Sequence, residues 1–124
     1  MAQPVVWFDI PVLDLDRAIA FYSAVLGSPV KKETMGPDFS MGILPHEKDE
    51  MSGCLYVSDE VKPTDQGALL YFNCNGRLSA AVDAAKTHGG TVQKEVHQIG
   101  PYGYRAIVLD SEGNRIALHS EKDA

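Results

Sequence analysis

Three polar side chains stand in otherwise apolar, strand-like runs. Asp9 lies within Val5-Val6-Trp7-Phe8-Asp9-Ile10-Pro11-Val12, Asn73 within Gly67-Ala68-Leu69-Leu70-Tyr71-Phe72-Asn73-Cys74, and His119 follows Ile116-Ala117-Leu118. An imidazole opposite a carboxylate can serve as a general base or as a neutral hydrogen-bonding partner near neutral pH, so His119 and Asp9 are the expected catalytic pair if the chain catalyses anything. Aromatic side chains alternate with them. Trp7 and Tyr71 share strand faces with Asp9 and Asn73, and Tyr102 and Tyr104 lie within and just after a Gly-Pro-x-Gly turn. Together they are expected to form an aromatic wall for a flat or apolar ligand. The expected ligand-binding set is therefore Trp7, Asp9, Tyr71, Asn73, Tyr104 and His119.

The elements that must position these groups are legible from periodicity. Phe8, Ile10 and Val12 alternate with Trp7, Asp9 and Pro11, which reads as a strand with one purely apolar face. Asp14 or Asp16 can cap the helix that follows, whose stripe is Leu15, Ile19, Tyr22 and Leu26. Gly27 ends it and Pro29 prevents its continuation. Three short extended runs follow, around Val30–Glu33, Phe39–Leu44 and Cys54–Val57, with a polar loop from Pro45 to Ser52 before the last. The plan then repeats: a strand over 67–74, a helix over 78–88 with stripe Leu78, Ala81, Val82 and Ala85, a Gly89-Gly90 stop, and strands around Thr91–Val96, Tyr102–Leu109 and Arg115–Ser120. Val30 aligns with Val92, Gly27 with Gly89, Ala18 with Ala80 and Trp7 with Leu69 at one constant offset. Two βαβββ modules, roughly 4–58 and 67–120, account for this order, with the acidic, proline-containing stretch Ser58–Gln66 as linker. The expected fold is one α+β domain over 1–124, its two tandem modules forming a curved, cup-like mixed sheet with helices outside. Phe8, Ile10 and Val12 must then face a helix, as must Leu70, Phe72 and Cys74. Asp9, Asn73 and His119 are thereby expected to converge on one accessible pocket on the opposite face.

Composition removes several classes of function. The 124 residues carry 11 Lys plus Arg against 17 Asp plus Glu, a net charge of −6, with no basic run to grip nucleic acid or an anionic membrane. No apolar run approaches the roughly 20 residues that cross a bilayer. Met1-Ala2-Gln3-Pro4 carries no secretory pattern, and a cytoplasmic location is expected. Cys54 and Cys74 lack metal or redox spacing and read as buried thiols. No phosphate-binding loop, dinucleotide fingerprint, nucleophile elbow or zincin motif occurs. Of the other histidines, His88 suits a helix C-terminus, and His46 and His97 read as solvated.

Ile10-Pro11-Val12, Asp14-Leu15-Asp16-Arg17-Ala18-Ile19-Ala20-Phe21-Tyr22 and Val25-Leu26-Gly27 closely resemble the opening of the glyoxalase/bleomycin resistance/extradiol dioxygenase superfamily, the vicinal oxygen chelate fold. Leu109-Asp110-Ser111-Glu112-Gly113-Asn114-Arg115-Ile116-Ala117-Leu118 resembles its ending. The resemblance implies the paired βαβββ fold, and it spans metal-dependent lyases and isomerases, dioxygenases, thiol transferases and metal-free drug-sequestering proteins. Its metal ligands, His, Glu or Gln, would fall at Trp7, at Leu69 or Leu70, at Ala117, and near Leu55 or Tyr56. Trp, Leu and Ala offer a metal no lone pair, so no cofactor is expected. The alternative is a divalent ion displaced one pleat along, held by Asp9, Asn73 and His119. Two readings follow. The chain is a small-molecule binding protein without the usual metal, or a lyase or isomerase using a displaced metal or His119 as base. The family habit and the exposed strand edges also imply a homodimer.

Overall fold

In the computed structural model, residues 3–122 are described. The first module runs β1 (Trp7–Pro11), α1 (Leu15–Leu26), β2 (Lys31–Thr34), β3 (Ser40–Ile43) and β4 (Ser52–Tyr56). The second runs β5 (Leu70–Asn73), α2 (Leu78–Thr87), β6 (Thr91–Gln98), β7 (Tyr104–Leu109) and β8 (Arg115–Ser120). Each module folds its strands into a four-stranded sheet, ordered β1-β4-β3-β2 in the first and β5-β8-β7-β6 in the second. Within each sheet the first and last strands pair in parallel and the others antiparallel. Neither sheet closes on itself, so the fold is α+β with two open, mixed sheets.

The helices follow their caps. Asp14 accepts from the Arg17 amide at 3.1 Å, and Gly27 ends α1 in the left-handed region at φ 69°. The buried face of α1 is Ala18, Phe21, Tyr22 and Val25. Leu15, Ile19 and Leu26 of the expected stripe pack at its margin, because the apolar arc of this helix is wider than one row. On α2 the expected stripe is the buried one. The Arg77 guanidinium, from the second module, donates to the Val25 carbonyl and covers the C-terminal end of α1.

A shared core joins the modules. Phe8 meets Phe72 edge-on at 6.1 Å, and Tyr22 meets Phe72 at 5.5 Å. Several strand boundaries differ from expectation, β5 for one covering only Leu70–Asn73 of the expected 67–74. Gly100–Tyr102 forms a 3-10 turn, so β7 begins at Tyr104, and β4 begins at Ser52, whose hydroxyl donates to the Leu44 carbonyl at 3.0 Å.

The hairpin tip between β7 and β8 does more than turn the chain. Asp110, Glu112 and Asn114 are buried and clasp the β1–α1 junction of the other module. Tyr22 donates its hydroxyl to Asp110 Oδ2 at 2.6 Å, and Asn114 Nδ2 donates to the Pro11 carbonyl at 2.9 Å. Glu112 Oε1 accepts the amides of Leu13 and Asp14, each at 2.9 Å, while Arg17 closes a bidentate pair on the same carboxylate at 2.7 and 2.8 Å. Sequence alone reads Asp110–Asn114 as turn formers. Their burial comes from the way the two modules dock.

Candidate functional site

The helix-free face of the second sheet carries Tyr71, Asn73, Arg105, Ala117 and His119. Tyr71 sits opposite Ala117, Asn73 opposite His119, and His119 opposite Arg105. His119 Nε2 lies 2.7 Å from the Tyr102 carbonyl. A carbonyl only accepts, so Nε2 holds the proton in the neutral ring and Nδ1 keeps its lone pair. The Tyr71 ring meets the imidazole edge-on at 6.1 Å. Asn73 Oδ1 accepts from the Asn75 amide at 3.0 Å. Tyr71, Asn73 and His119 thus line one cleft of about 230 Å³, as strand alternation predicts.

Asp9 belongs elsewhere. Its carboxylate accepts from Trp7 Nε1 at 3.0 Å and from the Cys54 thiol at 3.2 Å, and it lines a separate groove with Pro11, Gln66 and Arg115. Asp9 and His119 lie on different sheets and share no cleft. Their expected coupling has no geometric basis, because β1 and β8 belong to separate hydrogen-bonded sheets. Burial, reinforced by the hydrogen bond to Asp9 and its charge, pushes the Cys54 thiol up to about 11. It is a protonated donor to Asp9 and a poor nucleophile.

Tyr104 also departs from expectation. Together with Ala106 and Val108 it occupies the helix-covered face of β7 and packs against the core. The alternation that buries Ala106 and Val108 takes Tyr104 with them and sends Arg105 to the open face. Arg105 is the residue that sequence reading passes over, and the buried neighbours on either side were the signal. Its Nε donates to His97 Nε2 at 3.1 Å, its Nη1 donates to the Tyr71 hydroxyl, and its charge lies 5.9 Å from the Tyr71 ring. His97 is accordingly a half-buried acceptor and not a solvated side chain. Register irregularities in β6 between Val92 and His97 hide its orientation from a period-two reading.

A second concavity lies between the modules. About 390 Å³ in volume, it is walled by Phe8, Leu26, Leu44, Met51, Leu70 and Phe72, with Ser52 and Asn73 as polar points and Tyr71 at its edge. Its floor is the ring contact that joins the modules.

The positions that the resemblance assigns to metal ligands do not suit a metal. Trp7 presents an indole N–H already given to Asp9, and Ala117 is fully buried with only a methyl group. Among the described residues no group of three or more His, Cys, Asp or Glu side chains is arranged to hold an ion. Among them, too, no helix is long and apolar enough to cross a membrane.

Residues 5–118 match the sequence profile of the Glyoxalase/Bleomycin resistance protein/Dioxygenase superfamily. Among solved structures, a glyoxalase/bleomycin resistance protein from Albidiferax ferrireducens T118 superposes with a TM-score of 0.76 at 19% identity, over 95% of this chain and 98% of that one. A glyoxalase-related enzyme from Fulvimarina pelagi gives 0.74 at 13% identity, over 96% and 88%. A genomically encoded fosfomycin resistance protein from Listeria monocytogenes gives 0.69 at 13%, over 97% and 94%. At these identities the likeness is one of fold. No functionally curated protein matches the chain.

Proposed function

The chain belongs to the glyoxalase/bleomycin resistance protein/dioxygenase superfamily, and from that premise we propose that it is a small-molecule binding protein that takes an apolar or aromatic ligand between its modules without a metal. The observation that carries this reading is the inter-module groove of about 390 Å³, mostly apolar with a few polar points. That is the usual make-up of a small-molecule site. Trp, Leu and Ala at the superfamily's ligand positions support the metal-free part.

Nile red, a neutral apolar dye, is expected to gain fluorescence on binding with one site per chain. Met51→Glu, which sets a charge in the groove wall, is expected to weaken it about tenfold or more. The titration is expected to be unchanged by EDTA. No enhancement, or indifference to Met51→Glu, would overturn the groove; a signal lost on chelation and restored by a divalent ion would overturn metal independence.

One feature favours an enzymatic second reading, a lyase or isomerase with His119 as base. The hydrogen bond from Nε2 to Tyr102 leaves Nδ1 as a positioned acceptor beside Tyr71 and Asn73.

We propose a homodimer as the working unit. Within the described chain β1 pairs on one side only, with β4, and the residues entering it are exposed: Val5 at 48%, Val6 at 75% and Trp7 at 44%. An apolar, one-sided edge strand favours cover by a second copy. Light scattering at micromolar concentration is expected to give twice the mass of 13.5 kDa, and a monomer would refute it.

A further inference from the structure

Resting on the binding role proposed above, we infer that the ligand carries a carboxylate and that Arg105 is the group that receives it. The cleft beyond Tyr71, about 450 Å³, is lined by Tyr71, Ile99, Tyr102, Arg105 and His119, and none of these is acidic. This is a local cationic and aromatic lining on a chain of net charge −6. Among the described residues the ion pairs are Arg17–Glu112 and Lys32–Asp16, and Arg105 takes part in neither. Glu121 lines the adjoining cleft with His119 and makes no ion pair with the guanidinium.

Arg105 is held by neutral acceptors. An arginine has no lone pair to offer, so His97 Nε2 must be unprotonated where Nε of Arg105 meets it at 3.1 Å. The other ring nitrogen, Nδ1, lies 2.8 Å from the Glu95 carbonyl, which requires the proton there. The two contacts agree on one neutral tautomer. That imidazole fixes one edge of the guanidinium, and the Tyr71 hydroxyl takes a second donor from Nη1. Nη2 makes no hydrogen bond among the described residues. A half-buried, oriented guanidinium with its charge uncompensated and a nitrogen open to a cleft is a preformed anion receptor.

The charge and size of that anion follow from the neighbours. His119 already commits its N–H to Tyr102, so it adds no donor in this state. One guanidinium with a single open nitrogen matches a monoanion such as a carboxylate better than a phosphate dianion, which calls for more donors and meets the repulsion of the acidic chain. Tyr71 lines both this cleft and the apolar groove. A carboxylate on Arg105 therefore leaves the rest of the ligand at the mouth of the groove.

Calorimetric titration of phenylacetate, its neutral analogue phenylacetamide and inorganic phosphate into wild type, Arg105→Gln and Arg105→Lys tests this. Phenylacetate is expected to bind wild type about tenfold more tightly than the amide, with phosphate weaker than both. Arg105→Gln is expected to bring that ratio to about one, chiefly by weakening the acid. Arg105→Lys, which keeps charge but loses the planar fork, is expected to fall between, and it carries the test if the Gln variant fails to fold. Failure of phenylacetate to bind, equal affinity for acid and amide, indifference to Arg105→Gln, or tighter binding of phosphate would each overturn the inference. If Nile red still binds in those cases, the apolar site stands and only the carboxylate falls; if Nile red also fails, the binding role falls with it.

Discussion

Glu112→Ala is expected to lower stability by about 3 kcal/mol, equivalent to a fall in melting temperature of about 10 °C, although Glu112 lies in a surface hairpin by sequence. Its side chain is fully buried, and its two oxygens satisfy the amides of Leu13 and Asp14, the Ser111 hydroxyl and the Arg17 guanidinium. Alanine leaves two N–H groups at the start of α1 without their acceptor and removes the tie between the modules. Burial by itself would raise the carboxyl, and it is the largest single influence. The hydrogen bonds from Arg17, Ser111, Asp14 and Leu13 together outweigh it and hold the group at about 2, against an ordinary 4.5. Because the folded value is depressed, the stabilisation is complete above the ordinary carboxylate range. It is lost as pH falls from about 4.5 towards 2, where the unfolded chain binds the proton that the folded chain refuses. Thermal melts of wild type and Glu112→Gln across this interval are expected to show a steeper acid limb in wild type. Parallel curves would refute the role of the charged form.

Gly103→Ala is expected to cost about 3 kcal/mol and to disturb the arginine cleft at the same time. Gly103 stands at φ 100°, where side chains are strained, and a Cβ there would lie 2.3 Å from the Ser120 carbonyl oxygen and 2.9 Å from Glu121 Cα. Backbone, not a flexible side-chain tip, blocks that space. The strand or the turn must therefore move, and the turn carries the Tyr102 carbonyl that receives His119. The Gly103 carbonyl also accepts the Ile99 amide at 2.8 Å, so Ile99 moves with it. Melting by circular dichroism together with the phenylacetate titration checks both effects. A variant with unchanged melting and unchanged affinity would show that the turn tolerates the shift.

The elements were legible because they follow from short-range rules. The alternation of Phe8, Ile10 and Val12 against Trp7 and Asp9, the Asp14 cap and the Gly27 stop each depend on a few adjacent residues. The repeat that pairs Val30 with Val92 is the same set of local signals occurring twice along the chain. The same period-two rule sent Tyr71, Asn73 and His119 to one face, and register then placed them together. It grouped Tyr104 with Ala106 and Val108 but on the open side, because which face of β7 packs against the core is set by docking and not by the period.

The sequence by itself determined the α+β class, the two βαβββ units, the helix-facing residues and the absence of ordinary ligand types at Trp7, Leu69 and Ala117. Only the tertiary structure decided which polar groups meet. It separated Asp9 from His119, because the strands that carry them belong to different hydrogen-bonded sheets. It brought Arg105 to Tyr71 and His97 across three strands, and buried Asp110, Glu112 and Asn114 against a partner module a hundred residues away in the chain. Such meetings are fixed by register and docking between distant segments, which local propensity does not encode.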